Sequence, residues 1–150
     1  MVGTQLAALA MVFFGGLWTG GILLVAVERT NLWRRMPIEQ FAVDFRRSVL
    51  RVDPMMPILG ALAGIPAIYF AFHATGPAKT LAWSAVAMIV LVILGSTLIA
   101  EPMNSKFRRL PEGTCPPDAA AIRDKWRAFH NLRTVVALLI LACLAGAVIV

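Results

Sequence analysis

The sequence predicts an all-α fold: a four-span transmembrane helix bundle with an amphipathic helix in the first cytoplasmic loop. Three observations predict it. Hydrophobic residues make up 59% of the 150, where a soluble domain holds roughly 45–50%. Charged residues make up only 15%, against about 25% in soluble proteins. The basic charge is also gathered: of 14 Lys and Arg, six fall in Arg29–Arg51 and seven in Lys106–Arg133, and the segments between are nearly charge-free. So much apolar surface exceeds what a small soluble core can bury. Lipid as the solvent removes the difficulty.

The first span covers residues 6–27, from Leu6 to Val27. It lacks a basic leader segment and is long for a signal peptide, so it reads as a true span. In the connector that follows, Pro37 suits a helix start. Ile38, Phe41, Phe45, Val49 and Val52 then recur at helical spacing, with Glu39, Asp44, Arg46, Arg47 and Arg51 on other faces. That pattern predicts an amphipathic helix on the membrane surface or over the end of the bundle.

The second span covers 55–75 and the third 81–100. Each meets the length of about 20 residues that crosses the hydrocarbon core. A turn-rich stretch, Leu110 to Pro117, precedes a helix that Asp118 is placed to cap. The last apolar run, Thr134–Val150, is short, so the fourth span draws Asn131–Arg133 into the interface and covers 131–150. The whole chain, 1–150, reads as one membrane domain.

An even number of spans puts both termini on one side and both long loops on the other. Each long loop carries six Lys and Arg, while the terminal side has Lys79 alone. The positive-inside rule therefore predicts a multi-pass plasma-membrane (inner-membrane) protein with cytoplasmic loops and both termini outside. The net charge of +6 is loop charge of this kind and excludes a nucleic-acid groove. Cys115 and Cys143 fall at different depths, which excludes a disulfide between them. Gly16-Leu-Trp-Thr-Gly20 and Gly60-Ala-Leu-Ala-Gly64 let helix backbones approach closely. They are expected to pack the first span on the second, with homo-oligomer contact as the alternative.

Ionisable groups at the membrane boundary are costly and are functional candidates by default. Glu28, Asp53, Glu101, His130 and Arg133 all stand where a basic loop meets a span. Asn104 lies one turn past Glu101. Trp126, His130 and Arg133 are spaced i, i+4, i+7 and share one helix face. In an antiparallel bundle these ends form one layer. Paired Glu-x-x-His motifs, the signature of a two-metal bundle, are missing, and the two histidines are expected at opposite ends, which disfavours a haem. No metal and no cofactor is expected. The plain structural reading pairs Arg133 with Glu101 or Glu28 and uses Trp126 as an interface anchor.

Glu101-Pro-Met-Asn104 followed by Trp126-x-x-x-His130-x-x-Arg133 resembles the signature of the anthrone-oxygenase-like integral membrane proteins. The earlier run Glu28, Trp33-Arg-Arg, Phe45-Arg-Arg and Asp53-Pro54 is similar to bacterial members of that family. The resemblance implies oxygen insertion into an activated aromatic or polyketide-like substrate, in a pocket at the cytoplasmic end of the bundle. It implies His130 as base, Arg133 as the group that steadies an oxyanion, and Asn104 as a hydrogen-bond donor. Glu28 or Glu101 would orient His130 or Arg133. Trp126 and Trp33, with Trp18 and Phe70, would supply aromatic walls. The alternative is a non-catalytic accessory or scaffold subunit of a larger membrane complex, with the same polar residues fully paired and no cavity. A transporter ranks below both, because the spans offer only Thr19, Ser84 and Ser96 near the midplane.

Overall fold

A computed structural model describes residues 2–150. Four long helices, α1 (Val2–Arg35), α2 (Ile38–His73), α3 (Gly76–Arg109) and α4 (Ala119–Ile149), are each long and apolar enough to cross a bilayer. Among the described residues there is no strand. The basic connectors are largely helical: the helices run past the apolar segments into them.

Proline and glycine punctuate the chain for identifiable reasons. α1 stops at Met36, whose extended ψ of 144° is the conformation a following proline imposes. Leu110 before Pro111 ends α3 in the same way, with ψ 149°. Gly76 takes φ +57°, a left-handed conformation that costs glycine little, and so lets α2 turn tightly into α3. Asp118 is at the start of α4, but its side chain makes no capping bond. Its carboxylate instead takes Lys106 Nζ at 2.5 Å. The expected cap is therefore replaced by a tie between the two halves of the second connector.

Each helix departs from regular α geometry at the same end of the bundle, save α4. In α1, residues Val25–Arg29 form a π turn. The Thr30 N–H bonds Val25 O, five residues back. That frees the Ala26 carbonyl, which accepts from Thr30 Oγ1 at 2.6 Å. α2 breaks at Asp53–Pro54, between helical stretches Ile38–Val52 and Met55–His73. In α3, Ser96–Ala100 form a second π turn, and the Glu101 N–H bonds Ser96 O. Pro102 follows at once. Its ring would collide with a carbonyl four residues back in a regular helix, and the wider π turn relieves that collision.

The helices pack in ring order: α1 and α3 each contact both α2 and α4. Met11, Ile22, Ala67, Ala82, Ala85, Ala137, Ile140 and Leu144 fill the interior. Thr19 Oγ1 donates to Ala137 O at 3.1 Å and ties α1 to α4. The glycine motifs differ in use. A Cβ at Gly60 would meet Trp18 at 3.4 Å, and one at Gly64 would meet Ile89 at 3.5 Å, so that motif serves α1 and α3. At Gly16 and Gly20 it would meet no atom within 4 Å. The expectation that this first motif packs on the second span is thus corrected: its glycines face outward, because Trp18 and Thr19 occupy the inward face.

At the basic end, Trp33, Phe41, Phe45, Phe107 and Trp126 form an aromatic cap. Phe45 is fully buried and meets Trp33 at 5.2 Å, Phe107 at 4.8 Å and Trp126 at 5.2 Å between ring centres. Stretch Ile38–Val52 buries Phe41, Ala42, Phe45 and Val49 and leaves Arg47 and Arg51 exposed. Arg46 Nε donates to Phe107 O at 3.2 Å, and Arg123 donates to Met36 O at 3.0 Å. Both basic connectors therefore meet at one end of the bundle.

Phe45→Ala is expected to destabilise the protein by about 3–5 kcal/mol, the usual cost of emptying a buried aromatic site. Leu98→Ala, at a side chain 73% exposed toward the surroundings, is expected to change little. Unfolding curves in mild detergent compare the two; equal effects would contradict the cap's role.

Candidate active site

A polar layer lies directly beneath the aromatic cap, where the helices break. The Asp53–Pro54 break in α2 supplies a carboxylate, half-buried at the bundle end. α3 supplies Asn104, two residues after Pro102 and 4% exposed. α4 supplies Trp126, His130 and Arg133 from one face. Asn104 Nδ2 donates to Asp53 Oδ2 at 2.6 Å. Trp126 Nε1 donates to Asn104 Oδ1 at 2.9 Å. The Trp126 indole stacks on the His130 imidazole, with ring centres 4.7 Å apart and planes 8° from parallel. A single chain of contacts thus joins α2, α3 and α4.

His130 is fully buried and has both ring nitrogens engaged. Arg133 Nη2 lies 2.6 Å from Nδ1. A guanidinium has donors only, so Nδ1 accepts. Nε2 then carries the hydrogen and donates to Ile22 O at 3.0 Å. The pattern selects the neutral Nε2–H tautomer. Arg133 also donates to Ser96 Oγ at 3.3 Å, and its guanidinium sits 5.8 Å from the centre of the Phe129 ring. Its buried Nε has no hydrogen-bond partner. Among the described residues no carboxylate forms an ion pair with it.

Beside Arg133 lies a cavity of about 170 Å³ to which all the helices contribute. Trp18 and Ile22 form its α1 wall, Asp53, Met56 and Pro57 its α2 wall, and Val92 to Asn104 its α3 wall. Asp53 and Arg133 therefore line one space, with Asn104 and Ser96 beside them. A second cavity of about 30 Å³ lies toward the cap, lined by Trp33, Trp126 and His130 among others.

The expected residues divide between the two cavities, with Arg133 on the wall of both. Arg133, Asn104 and Glu101 line the larger cavity, while His130, Trp126 and Trp33 line only the smaller one. Glu28 lies apart from the larger cavity and pairs with its neighbour Arg29 at 2.8 Å. Glu101 pairs with Arg108. Neither orients His130 or Arg133, and the ion pair drawn from Arg133 to Glu101 or Glu28 is replaced by the contacts to His130 and Ser96. Each glutamate has an arginine closer on its own helix. Trp33 and Trp126 are cap residues, with Trp33 Nε1 bonded to Asp44 Oδ2 at 2.6 Å. Trp126 is buried rather than anchored at an exposed interface. Among the aromatic walls, Trp18 lines the larger cavity.

Sequence reasoning marked Asp53 as a boundary charge without giving it a role. The Asp-Pro pair was the available signal, since a proline at a span end removes a backbone donor from the helix. Ser96 carried no signal of its own. Elsewhere the chemistry is sparse. Burial pushes the Cys115 thiol above its ordinary range, and the nearby Glu39 carboxylate adds to the shift. Among the described residues no three His, Cys, Asp or Glu side chains gather as a metal-binding group.

The sequence model of the anthrone oxygenase family matches residues 45–143. That stretch contains Asp53, Asn104, Trp126, His130 and Arg133. No curated protein and no solved structure matches the chain.

Asn104→Leu leaves a half-buried carboxylate and a buried indole N–H without partners and is expected to cost about 2–3 kcal/mol. Trp126→Phe is expected to cost less in that background than in the parent, because the bond it removes is already gone. A double-mutant cycle by denaturant unfolding measures the coupling. Strict additivity would mean that the relay contributes nothing.

Proposed function

The chain belongs to the anthrone oxygenase family, and from that premise we propose that it is an oxygenase for an activated aromatic or polyketide-like substrate held in the Asp53–Arg133 cavity. The observation that carries this reading is the placing of one carboxylate and one cation around a space beside an apolar wall. A substrate with an acidic carbon between aromatic rings and a ketone needs little more. The Asp53 oxygen not bonded to Asn104 takes the carbon-bound proton. Arg133 steadies the enolate oxygen that results. The electron-rich carbon gives an electron to dioxygen, and the two radicals join as a hydroperoxide after proton uptake. Loss of the second proton from that carbon breaks the O–O bond. The balance is one CH2 and one O2 converted to one C=O and one water.

In this reading His130 is a positioning residue. The sequence pattern implied a base, but its Nδ1 lone pair is occupied by Arg133 and its Nε2–H by Ile22 O. It holds the guanidinium at the cavity wall. Asp53 takes over as the base. The accessory-subunit alternative calls for a fully paired polar layer without a cavity. The lack of an ion-pair partner for Arg133 among the described residues and the cavity that it lines favour the oxygenase. The basic connectors at one end support placing the site on the cytoplasmic side of the plasma membrane.

Oxygen uptake by purified protein with 1,8-dihydroxyanthrone tests the reading. Asp53→Asn and Arg133→Gln are each expected to lower kcat by roughly 100-fold or more, the usual scale for removing a general base or an oxyanion donor. Undiminished turnover by Asp53→Asn would remove the carboxylate from the proton-transfer role. No turnover by the parent protein on any enolisable aromatic ketone would sink the oxygenase itself.

A further inference from the structure

The larger cavity opens sideways. Its exposed lining residues are Pro57 on α2 and Ile93, Thr97 and Glu101 on α3, while Trp18, Ile22, Val92, Ala100 and Asn104 are buried. Ile93, Thr97 and Glu101 recur four residues apart and follow one edge of α3. Eight residues of helix span about 12 Å. The opening therefore runs from the charged rim at Glu101 well into the apolar part of the bundle. Ile58, Leu94 and Leu98 flank it and are 60%, 50% and 73% exposed. Exposed apolar side chains on a spanning helix suit contact with lipid. The opening is a seam between α2 and α3 that faces the bilayer.

The cavity is also small. At about 170 Å³ it falls below the roughly 300–1,000 Å³ typical of drug-sized ligands. A cavity of about 150 Å³ with apolar walls holds benzene. One six-membered ring with its oxygen substituent fits beside Arg133. A larger fused system does not fit entirely inside, and its remainder must leave through the seam.

We propose that the cavity is loaded from the bilayer through the α2–α3 seam and takes an amphiphile. Its head is a single phenol or enol ring whose ionisable oxygen meets Arg133, and its apolar remainder lies between Pro57, Ile93 and Thr97 in contact with lipid. This rests on the reading of the cavity as the substrate site, yet it is tested without any oxidation. Arg133 lines the cavity and has no ion-pair partner among the described residues, and a neutral or anionic oxygen suits its guanidinium where a cationic head does not.

The probe is an alkylphenol with a diazirine halfway along its chain, added to the full-length protein in phosphatidylcholine vesicles. After irradiation, peptide mass spectrometry locates the adducts. They are expected to concentrate at Pro57, Ile93 and Thr97 and to fall about tenfold there in Arg133→Gln, the loss of one charge-assisted hydrogen bond. Labelling at the far lipid-facing residue Leu139 should stay constant. Ile93→Trp, a change at an exposed side chain that keeps the fold, should block the seam and give the same local loss. Adducts spread evenly over lipid-facing residues would overturn the proposal. So would adducts confined to Glu28, Arg47 and Arg51 at the aqueous end. Seam labelling without oxygen uptake would leave the entry route standing and count against the oxygenase.

Discussion

The site depends on a guanidinium placed where the bundle gives it no ion-pair partner. A charge taken out of water costs several kcal/mol unless polar groups replace its hydration. Arg133 is held by the His130 ring nitrogen and the Ser96 hydroxyl, both neutral acceptors. Asp53 stands on another wall of the same cavity. The positive charge is thus fixed in place and left without direct neutralisation, and an anionic or polarisable oxygen entering the cavity completes it. A salt bridge in the same position would have tied the helices more tightly and left nothing for a ligand to do.

Everything around Arg133 serves to keep that arrangement in place. The imidazole accepts from Arg133 at Nδ1, and Ile22 O on α1, which takes the Nε2–H, favours the tautomer that does so. Trp126 fixes the plane of the imidazole by stacking and is itself fixed by Asn104. The aromatic cap packs over the layer on its connector side. The departures from regular helix fall at this level too: the π turns in α1 and α3 and the Asp53–Pro54 break in α2. π turns often mark functional sites because they redirect side chains and release carbonyls from the helical ladder. Ser96, at the start of the α3 π turn, meets Arg133 through its hydroxyl, and Asp53, at the α2 break, accepts from Asn104.

Much of this was legible in the sequence. The bundle follows from long apolar runs separated by basic connectors, a pattern that only a lipid solvent permits. Asn104, Trp126, His130 and Arg133 could be brought together from helical spacing and the expected layer of span ends. Their pairing could not. Asn104 and Asp53 are 51 residues apart and meet through tertiary packing. Glu28 and Glu101 looked equivalent to Asp53 as boundary acids. They differ because Arg29 and Arg108 neutralise them on their own helices, which local sequence shows only when rotamers are known. The glycine motifs were indistinguishable as text, and one faces inward while the other faces out. A one-dimensional motif carries no sign for its direction.

The tautomer of His130 bears most directly on this chemistry, because it reports whether Arg133 is held as described. The protein has only 2 histidines, and His73 is exposed at the other end of α2, so their signals are separable. Histidine-selective ¹⁵N NMR of the reconstituted protein at neutral pH is the measurement. The expected result is a His130 ring with an unprotonated Nδ1 and a protonated Nε2. A doubly protonated ring, or one protonated at Nδ1, would mean that Arg133 is not bonded to it and that the cation at the cavity wall is held by something else.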